Sequence, residues 1–433
     1  MNISIFGLGY VGAVTAGCLT EMGHGVVGAD VYPEKVDALN RGQSPIVEPE
    51  LDALLAAACA SGKLRATTSA EDAVTATDAS IICVGTPSLE SGRLDLQYVR
   101  AVSAEIAEIL RRTGKRHGII FRSTMLPGST RSMVESFFGE LIASGQVTVL
   151  YCPEFLREGT AVKDFRAPSL SVIGTTDGEA CARPDLEELL GQNPERLTWE
   201  GAELIKYACN YFHALKVAFA NEIGRAGKAK GLDAARVMEV VCKDTRLNIS
   251  SYYMKPGNPF GGSCLPKDVS ALAAFAREEG IVLPVLGSLM PSNAAHLDSL
   301  LALITRTGLK RVAILGLAFK NNTDDLRGSP MVAVAETLLA RGYELSVFDP
   351  HLNIAELIGS NERLISRRMP HLAQLLKTSG TEAVKDADLS LAAQKCVPLD
   401  ELRAAVRAEQ HIIDVNGWRE LATLPARYEG FCW

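Results

Sequence analysis

The chain has 433 residues, 47% of them hydrophobic, and carries 51 Asp and Glu against 44 Lys and Arg for a formal charge of −7. That length exceeds one ordinary core and predicts two or three domains, while the acidic balance and the lack of a basic stripe interleaved with aromatics argue against a nucleic-acid surface. Charged residues interrupt every apolar run long enough to span a bilayer, and MNISIFGLGYVG opens the chain without a basic leader, so a cytoplasmic protein with no membrane partner is expected. The ten cysteines are scattered, with no CxxC pair and no Cys/His ligand spacing, which points to neither a disulfide framework nor a metal site.

The first element is the apolar run ISIF at 3–6, followed by Gly7, Gly9 and Gly12 in GxGxxG with Tyr10 and Val11 between them, then a small-residue helix through Ala13, Ala16 and Gly17. The next apolar run, VVGAD, ends at Asp30. Strand, glycine turn, helix, strand and acid together predict a dinucleotide site: the glycines bring a pyrophosphate to the helix N-terminus, and the carboxylate takes ribose hydroxyls and repels a 2′-phosphate. NAD is therefore expected rather than NADP. A helix at 50–60 leads to the strand and Gly-Thr-Pro turn of 79–87, which contains Thr86. The run 118–128 repeats the design with Ser123 and Thr124 at the strand's end, and 147–165 adds a strand followed by Glu154, Arg157 and Glu158. Spacing alone reads Thr86 and Thr124 equally well as turn residues, and the acids as ordinary loop carboxylates.

From 203 to 231 the apolar spacing predicts one long helix, a connector whose apolar face can dimerise with a copy of itself. Lys206 and Asn210 lie four apart on one face, suited either to a shared site or to solvent. A further helix is expected at 233–242, and a Tyr/Pro/Gly-rich loop at 246–262 leads to FGGSCLPKD at 260–268. Two glycines before Cys264 permit close approach of backbone to ligand, and Lys267 and Asp268 beyond it can tune a thiolate and hold a water; a buried inert cysteine needs neither. The third segment repeats the first: a strand and glycine turn at 311–320, a helix at 331–342 and a strand ending at Asp349, with Lys320 and Arg327 in the inserted loop where an anionic ligand would sit. A strand is expected at 411–418, whereas 386–402 reads as only weakly strand-like. The fold class is thus α/β, with two Rossmann-like doubly wound domains joined by a central helical domain: 1–198 for NAD, 199–298 for dimerisation and the cysteine, 299–433 for a second nucleotide. An NAD site combined with a reactive thiol suits oxidation of an alcohol to a carboxylate, because an aldehyde cannot lose a second hydride until a nucleophile adds to its carbonyl.

In this order GLGYVG, CVGTP, PEFLREGTAVKD, ELIKYACN, FGGSCLPKD and GLAFKNNTDDLR resemble the UDP-glucose/GDP-mannose 6-dehydrogenase family over nearly the whole chain. The loop at 247–264 and the closing EGFCW resemble its GDP-mannose branch. The resemblance implies Cys264 as nucleophile, Lys206 and Asp268 handling protons and water, Asn210 holding an oxyanion or hydroxyl, Thr124 binding water and Glu154 assisting thioester hydrolysis, with Glu158 nearby. It implies Tyr252, Tyr253, Lys255, Phe260 and Gly261 in the substrate loop, Asn248 lent across a homodimer or dimer of dimers, and Lys320 on phosphate or sugar. For NAD it implies Gly7, Gly9, Tyr10, Val11, Gly12, Asp30, Lys35, Thr86, Thr124 and Arg327. Three departures stand out. DLRGSP replaces the usual DLRESP, so Gly328 removes a carboxylate beside Arg327; Lys255 replaces an arginine; and 386–402 lacks the expected apolar strand. A UDP-glucose enzyme and a non-catalytic NAD-binding subunit are the alternatives.

Overall fold

The computed structural model describes residues 1–87, 89, 94–190, 193–250, 253, 256–262, 265–319, 326–352 and 371–433. They form two compact units, Met1–Ala214 and Leu215–Trp433.

The first unit is built on eight strands: β1 (Asn2–Phe6), β2 (Gly25–Ala29), β3 (Leu64–Thr67), β4 (Ala79–Ile82), β5 (His117–Phe121), β6 (Val147–Tyr151), β7 (Val172–Thr175) and β8 (Glu195–Thr198). Their order is β3-β2-β1-β4-β5-β6-β7-β8, parallel throughout except between β6 and β7. Parallel neighbours require crossovers. Helices α1 (Tyr10–Glu21), α2 (Pro33–Asn40), α3 (Leu51–Ala60), α4 (Ala70–Thr75), α5 (Gln97–Thr113), α6 (Ser129–Met133), α7 (Gly139–Ala143), α8 (Ala161–Arg166) and α9 (Pro184–Glu187) lie along these connections. Adjacent residues of one strand feed opposite cores. Ile81 and Ile120 join Ile3, Ile5, Leu19 and Leu55 on one side, whereas Ile82 and Ile119 join Phe121, Ile106 and Leu110 on the other. Each such fully buried side chain contributes roughly 1.5–3 kcal/mol. The strand order reverses between β1 and β4, so their carboxyl ends open the crevice where doubly wound sheets bind ligands.

Helix α10 (Trp199–Ala229) carries the chain across the boundary between the units. In the second unit follow α11 (Ala234–Val241), α12 (Leu265–Glu278) and α13 (Pro284–Arg306). Glu222 of α10 accepts hydrogen bonds from the Val285 and Leu286 amides at 2.7 and 2.9 Å, satisfying donors that the first turn of α13 cannot bond internally. The second sheet comprises β9 (Arg311–Leu315), β10 (Glu344–Phe348), β11 (Leu389–Ala392), β12 (His411–Asp414) and β13 (Arg427–Gly430), all parallel in the order β10-β9-β11-β12-β13, with α14 (Pro330–Ala340) on the first crossover. The expectation that 386–402 lacks a strand is corrected here: β11 is the central strand. All four of its residues are buried. A central parallel strand is covered on both faces and is read from a continuous apolar run, which the buried Ser390 interrupts here.

Candidate active site

The three motif glycines of the first unit do different work. Gly7 opens the turn after β1 at φ +95°, and a Cβ there would lie 2.9 Å from the Val84 Cα; a Cβ on Gly12 would fall 1.9 Å from the Gly7 carbonyl oxygen. These two glycines let α1 begin directly against the strand. Gly9 caps α1, and nothing lies within 4 Å of where its Cβ would be. That open face gives a ligand access to the helix's first amides. Asp30, at the end of β2, accepts from the Leu8 amide (2.7 Å) and Lys35 Nζ (3.3 Å) on Oδ2, and from the Tyr32 amide (3.0 Å) on Oδ1. Oδ1 keeps a lone pair for a ribose hydroxyl.

Glu48, which sequence reasoning missed, ties this turn to the loop after β6. Buried, it accepts from the Tyr10 hydroxyl and from the Gly159 and Ala161 amides, the last two at 2.8 Å. Burial works against its charge, but these donors win and hold the carboxyl below its ordinary range. No local signal marks it, because its backbone partners lie 111 and 113 residues away.

At the ends of β4 and β5, Thr86 Oγ1 donates to the Thr124 carbonyl at 2.9 Å and Ser123 Oγ to the Val84 carbonyl at 2.6 Å, so hydroxyls stitch the two loops together. Beyond β6, Glu154 Oε1 accepts from Lys206 Nζ at 2.7 Å, its carbonyl accepts from the same nitrogen at 2.6 Å, and Oε2 takes the Leu156 amide at 2.8 Å. The Lys206 and Glu154 side chains are only 9% and 13% exposed, so two charges leave water together, each with further hydrogen bonds, as a buried pair requires. Lysine has a third N–H to offer a ligand oxygen. One turn earlier on α10, fully buried Glu203 accepts from the Gly128 amide, the Thr130 amide and the Thr130 hydroxyl, each at 2.6 Å. It anchors the start of α10 to the loop that follows Thr124, and burial raises its pKa. Asn210, one turn past Lys206, is exposed, as are Glu158 and Arg157; Arg157 binds Asp164 at 2.6 Å. Burial pushes the thiols of Cys18 and Cys152 up to about 12, which leaves them inert at neutral pH.

In the second unit, residues 256–262 are held on several sides. The Gly257 carbonyl accepts from His296 Nε2 (2.7 Å), and Asn258 Nδ2 donates to the Ala393 carbonyl (3.2 Å) just past β11. The Phe260 amide and carbonyl both bond the Asn293 side chain at 2.8 Å, and the Gly262 amide donates to the Gly328 carbonyl at 3.2 Å. Asp268 stands exposed on the first turn of α12, 3.2 Å from Lys267. Asn248 donates to the Val241 carbonyl at 3.2 Å, Tyr253 is exposed at φ +62°, and Arg327 is exposed. Gly261 packs against the Gly328 carbonyl and the Pro330 ring. Tyr252, Lys255, Cys264 and Lys320 lie outside the described residues. Asp349 plays in the second sheet the part Asp30 plays in the first, accepting from the Leu317 and Ala318 amides at 2.9 Å.

Residues 1–190, 200–295 and 313–419 match in turn the NAD binding domain, the central domain and the UDP binding domain of the UDP-glucose/GDP-mannose dehydrogenase family. The chain belongs to this family. It is 45% identical to the GDP-mannose 6-dehydrogenase of Pseudomonas putida over the full length of both proteins. A solved ternary complex of GDP-mannose dehydrogenase from Pseudomonas aeruginosa superposes with a TM-score of 0.92 at 44% identity, again over all of both chains. The UDP-glucose 6-dehydrogenase of Haloferax volcanii is 38% identical over 81% of this chain and 83% of its own. The family reading makes the chain an NAD-dependent dehydrogenase, and the open face of Gly9 with the Asp30 carboxylate fits that cofactor. No described helix is long and apolar enough to cross a membrane, and no cluster of His, Cys, Asp or Glu among the described residues could hold a metal ion.

Proposed function

We propose that this chain oxidises the C6 alcohol of GDP-mannose to the carboxylate of GDP-mannuronate, a four-electron reaction supplying an alginate-type precursor in the cytoplasm. The observation that carries this reading is the full-length 45% identity to a GDP-mannose 6-dehydrogenase, against 38% over 81% of the chain for a UDP-glucose enzyme. The working division is 1–198 for NAD, 199–298 for dimerisation and the nucleophile, and 299–433 for the sugar nucleotide.

NAD, when bound, would supply the hydride acceptor for both oxidations at C6. The C6 hydroxyl proton passes to water by way of Asp268 as C6 gives up its first hydride and becomes the aldehyde, while Lys206, held by Glu154, offers its remaining N–H to the negative charge developing on that oxygen, with Asn210 beside it. The Cys264 thiolate adds to the aldehyde carbon to form a thiohemiacetal, and loss of the second hydride leaves a thioester. Water then adds to the carbonyl, with Thr124, Glu154 and Asp268 carrying the water-binding and proton-handling roles that the family resemblance implies for them. The C–S bond breaks, returning the thiol and releasing the carboxylate and a proton. Tyr252, Tyr253, Lys255, Phe260, Gly261 and Lys320 hold the sugar nucleotide. A homodimer, or a dimer of dimers, formed through α10 is supported by its exposed Tyr211, Val217 and Phe219.

NADH formed per GDP-mannose consumed by wild type and Cys264→Ser, with UDP-glucose run in parallel, tests the reading. Two NADH from GDP-mannose, abolished in the variant, are expected. Turnover with UDP-glucose alone moves the substrate, one NADH or an active variant removes the thioester route, and NAD binding without any turnover favours a regulatory subunit.

A further inference from the structure

We propose that Asn293, assisted by His296 one turn along α13, is a positioning residue for the oxidation: it holds the main chain of 257–260 in the conformation from which the substrate loop and the nearby nucleophile act. The proposal rests on reading Cys264, four residues after Phe260, as the nucleophile.

Asn293 Oδ1 accepts from the Phe260 amide and Nδ2 donates to the Phe260 carbonyl, both at 2.8 Å. The amide thus offers one residue a donor and an acceptor side by side, as a neighbouring strand would. Aspartate lacks the donor, and glutamine reaches one carbon too far. His296 lies three residues on, so its ring faces the same side of the helix. Its Nε2–H donates to the Gly257 carbonyl at 2.7 Å, and the ring rests on Phe431 with centroids 4.7 Å apart.

The clamp is effective because α13 is itself fixed at both ends. Glu222 binds its first amides, and Leu300, Leu301, Leu303 and Ile304 are buried in the core of the second sheet. Asn258 meanwhile bonds the Ala393 carbonyl at the carboxyl end of β11, the end at which such sheets receive ligands. Helix α13 therefore registers an irregular, glycine-bearing loop against the ligand end of the sheet. Ordering the backbone of such a loop carries an entropic cost, and a misplacement of about 1 Å in a reacting group costs on the order of a hundredfold in rate.

The test uses full-length Asn293→Ala and Asn293→Asp, with NADH formation from GDP-mannose, NAD binding by calorimetry, and the rate of Cys264 alkylation by iodoacetamide followed by peptide mass spectrometry. Asn293→Ala is expected to bind NAD within about twofold of wild type, to lose about tenfold or more in kcat with a smaller change in KM, and to alter the alkylation rate about threefold. Asn293→Asp, which keeps the acceptor for the Phe260 amide, should fall between the two. Values of kcat and alkylation within twofold of wild type would overturn the proposal, as would a loss of NAD binding in proportion to activity. If Asn293→Ala does not fold, His296→Ala is judged by the same criteria. A wild type that ignores GDP-mannose removes the substrate reading alone, because the alkylation comparison still decides whether Asn293 positions the loop.

Discussion

The motif glycines can be separated experimentally, since alanine at Gly9 and at Gly12 meets opposite surroundings. At Gly12 the new methyl would sit 1.9 Å from the Gly7 carbonyl oxygen, where real Cβ atoms essentially never approach within 3.0 Å. One of two backbone segments must therefore move by more than an ångström, either α1 or the turn after β1. Overpacking of that kind costs roughly 1–3 kcal/mol, and the displaced element is the helix start that receives the pyrophosphate. Gly9 has φ −81°, which any residue adopts, and its Cβ would meet nothing within 4 Å. Alanine there should change stability by no more than about 0.5 kcal/mol, yet its methyl would stand where the cofactor's phosphates approach. Urea unfolding and NAD calorimetry on both variants separate the effects. Gly12→Ala should lower the midpoint and weaken NAD binding together. Gly9→Ala should keep the wild-type midpoint and weaken NAD at least about tenfold, equivalent to ~1.4 kcal/mol. Tight NAD binding by Gly9→Ala, or an unshifted midpoint in Gly12→Ala, would refute the assignment of these roles.

Restoring the family's usual glutamate at Gly328 should damage the enzyme rather than repair it. Gly328 sits at φ +61° with its Cβ position 2.7 Å from the Gly262 carbonyl oxygen, so Gly328→Glu should lower both the thermal midpoint and kcat, the left-handed backbone alone costing roughly 1–2 kcal/mol; equal or higher values would count against it. His117 should make stability fall on mild acidification. Burial, aided by Lys115, lowers its pKa to about 4 while Ser80 holds Nε2 at 2.8 Å. The unfolded chain then binds a proton below about 6.5 that the folded chain refuses until about 4, so the stabilisation is complete above 6.5 and is lost as pH falls toward 4, by about 3 kcal/mol in all. The urea midpoint of His117→Gln should vary less over that window than that of wild type, and parallel curves would refute the argument.

What could be read in the sequence was local. The run from β1 through the glycine turn and α1 to Asp30 is a chain of short-range requirements, each visible within a few residues, and the structure places every one. Helix α10 was legible for the same reason, since its apolar spacing persists over many turns. Strand β11 was not, because LSLA is only four residues long and Ser390, buried with the rest, breaks the continuous apolar run by which a strand covered on both faces is read. Glu48, Glu203, Glu222 and Asn293 were invisible for a different reason. Each is a polar residue in an unremarkable stretch, whose partners are backbone groups 111, 73, 63 and 33 residues away.

These four residues share a physical role that the motif residues cannot fill. A glycine only makes room, and a chain that has room still samples many conformations. Glu48, Glu203, Glu222 and Asn293 each bond two backbone groups of a distant segment, and Glu48, Glu203 and Glu222 do so from buried positions where unbonded donors would cost about 1–3 kcal/mol apiece. That penalty on the alternatives is what selects one arrangement of the glycine turn, of the loop after Thr124, of the start of α13 and of the loop at 257–260. The motifs mark where ligands approach, and the buried acceptors, together with Asn293, determine the geometry they meet.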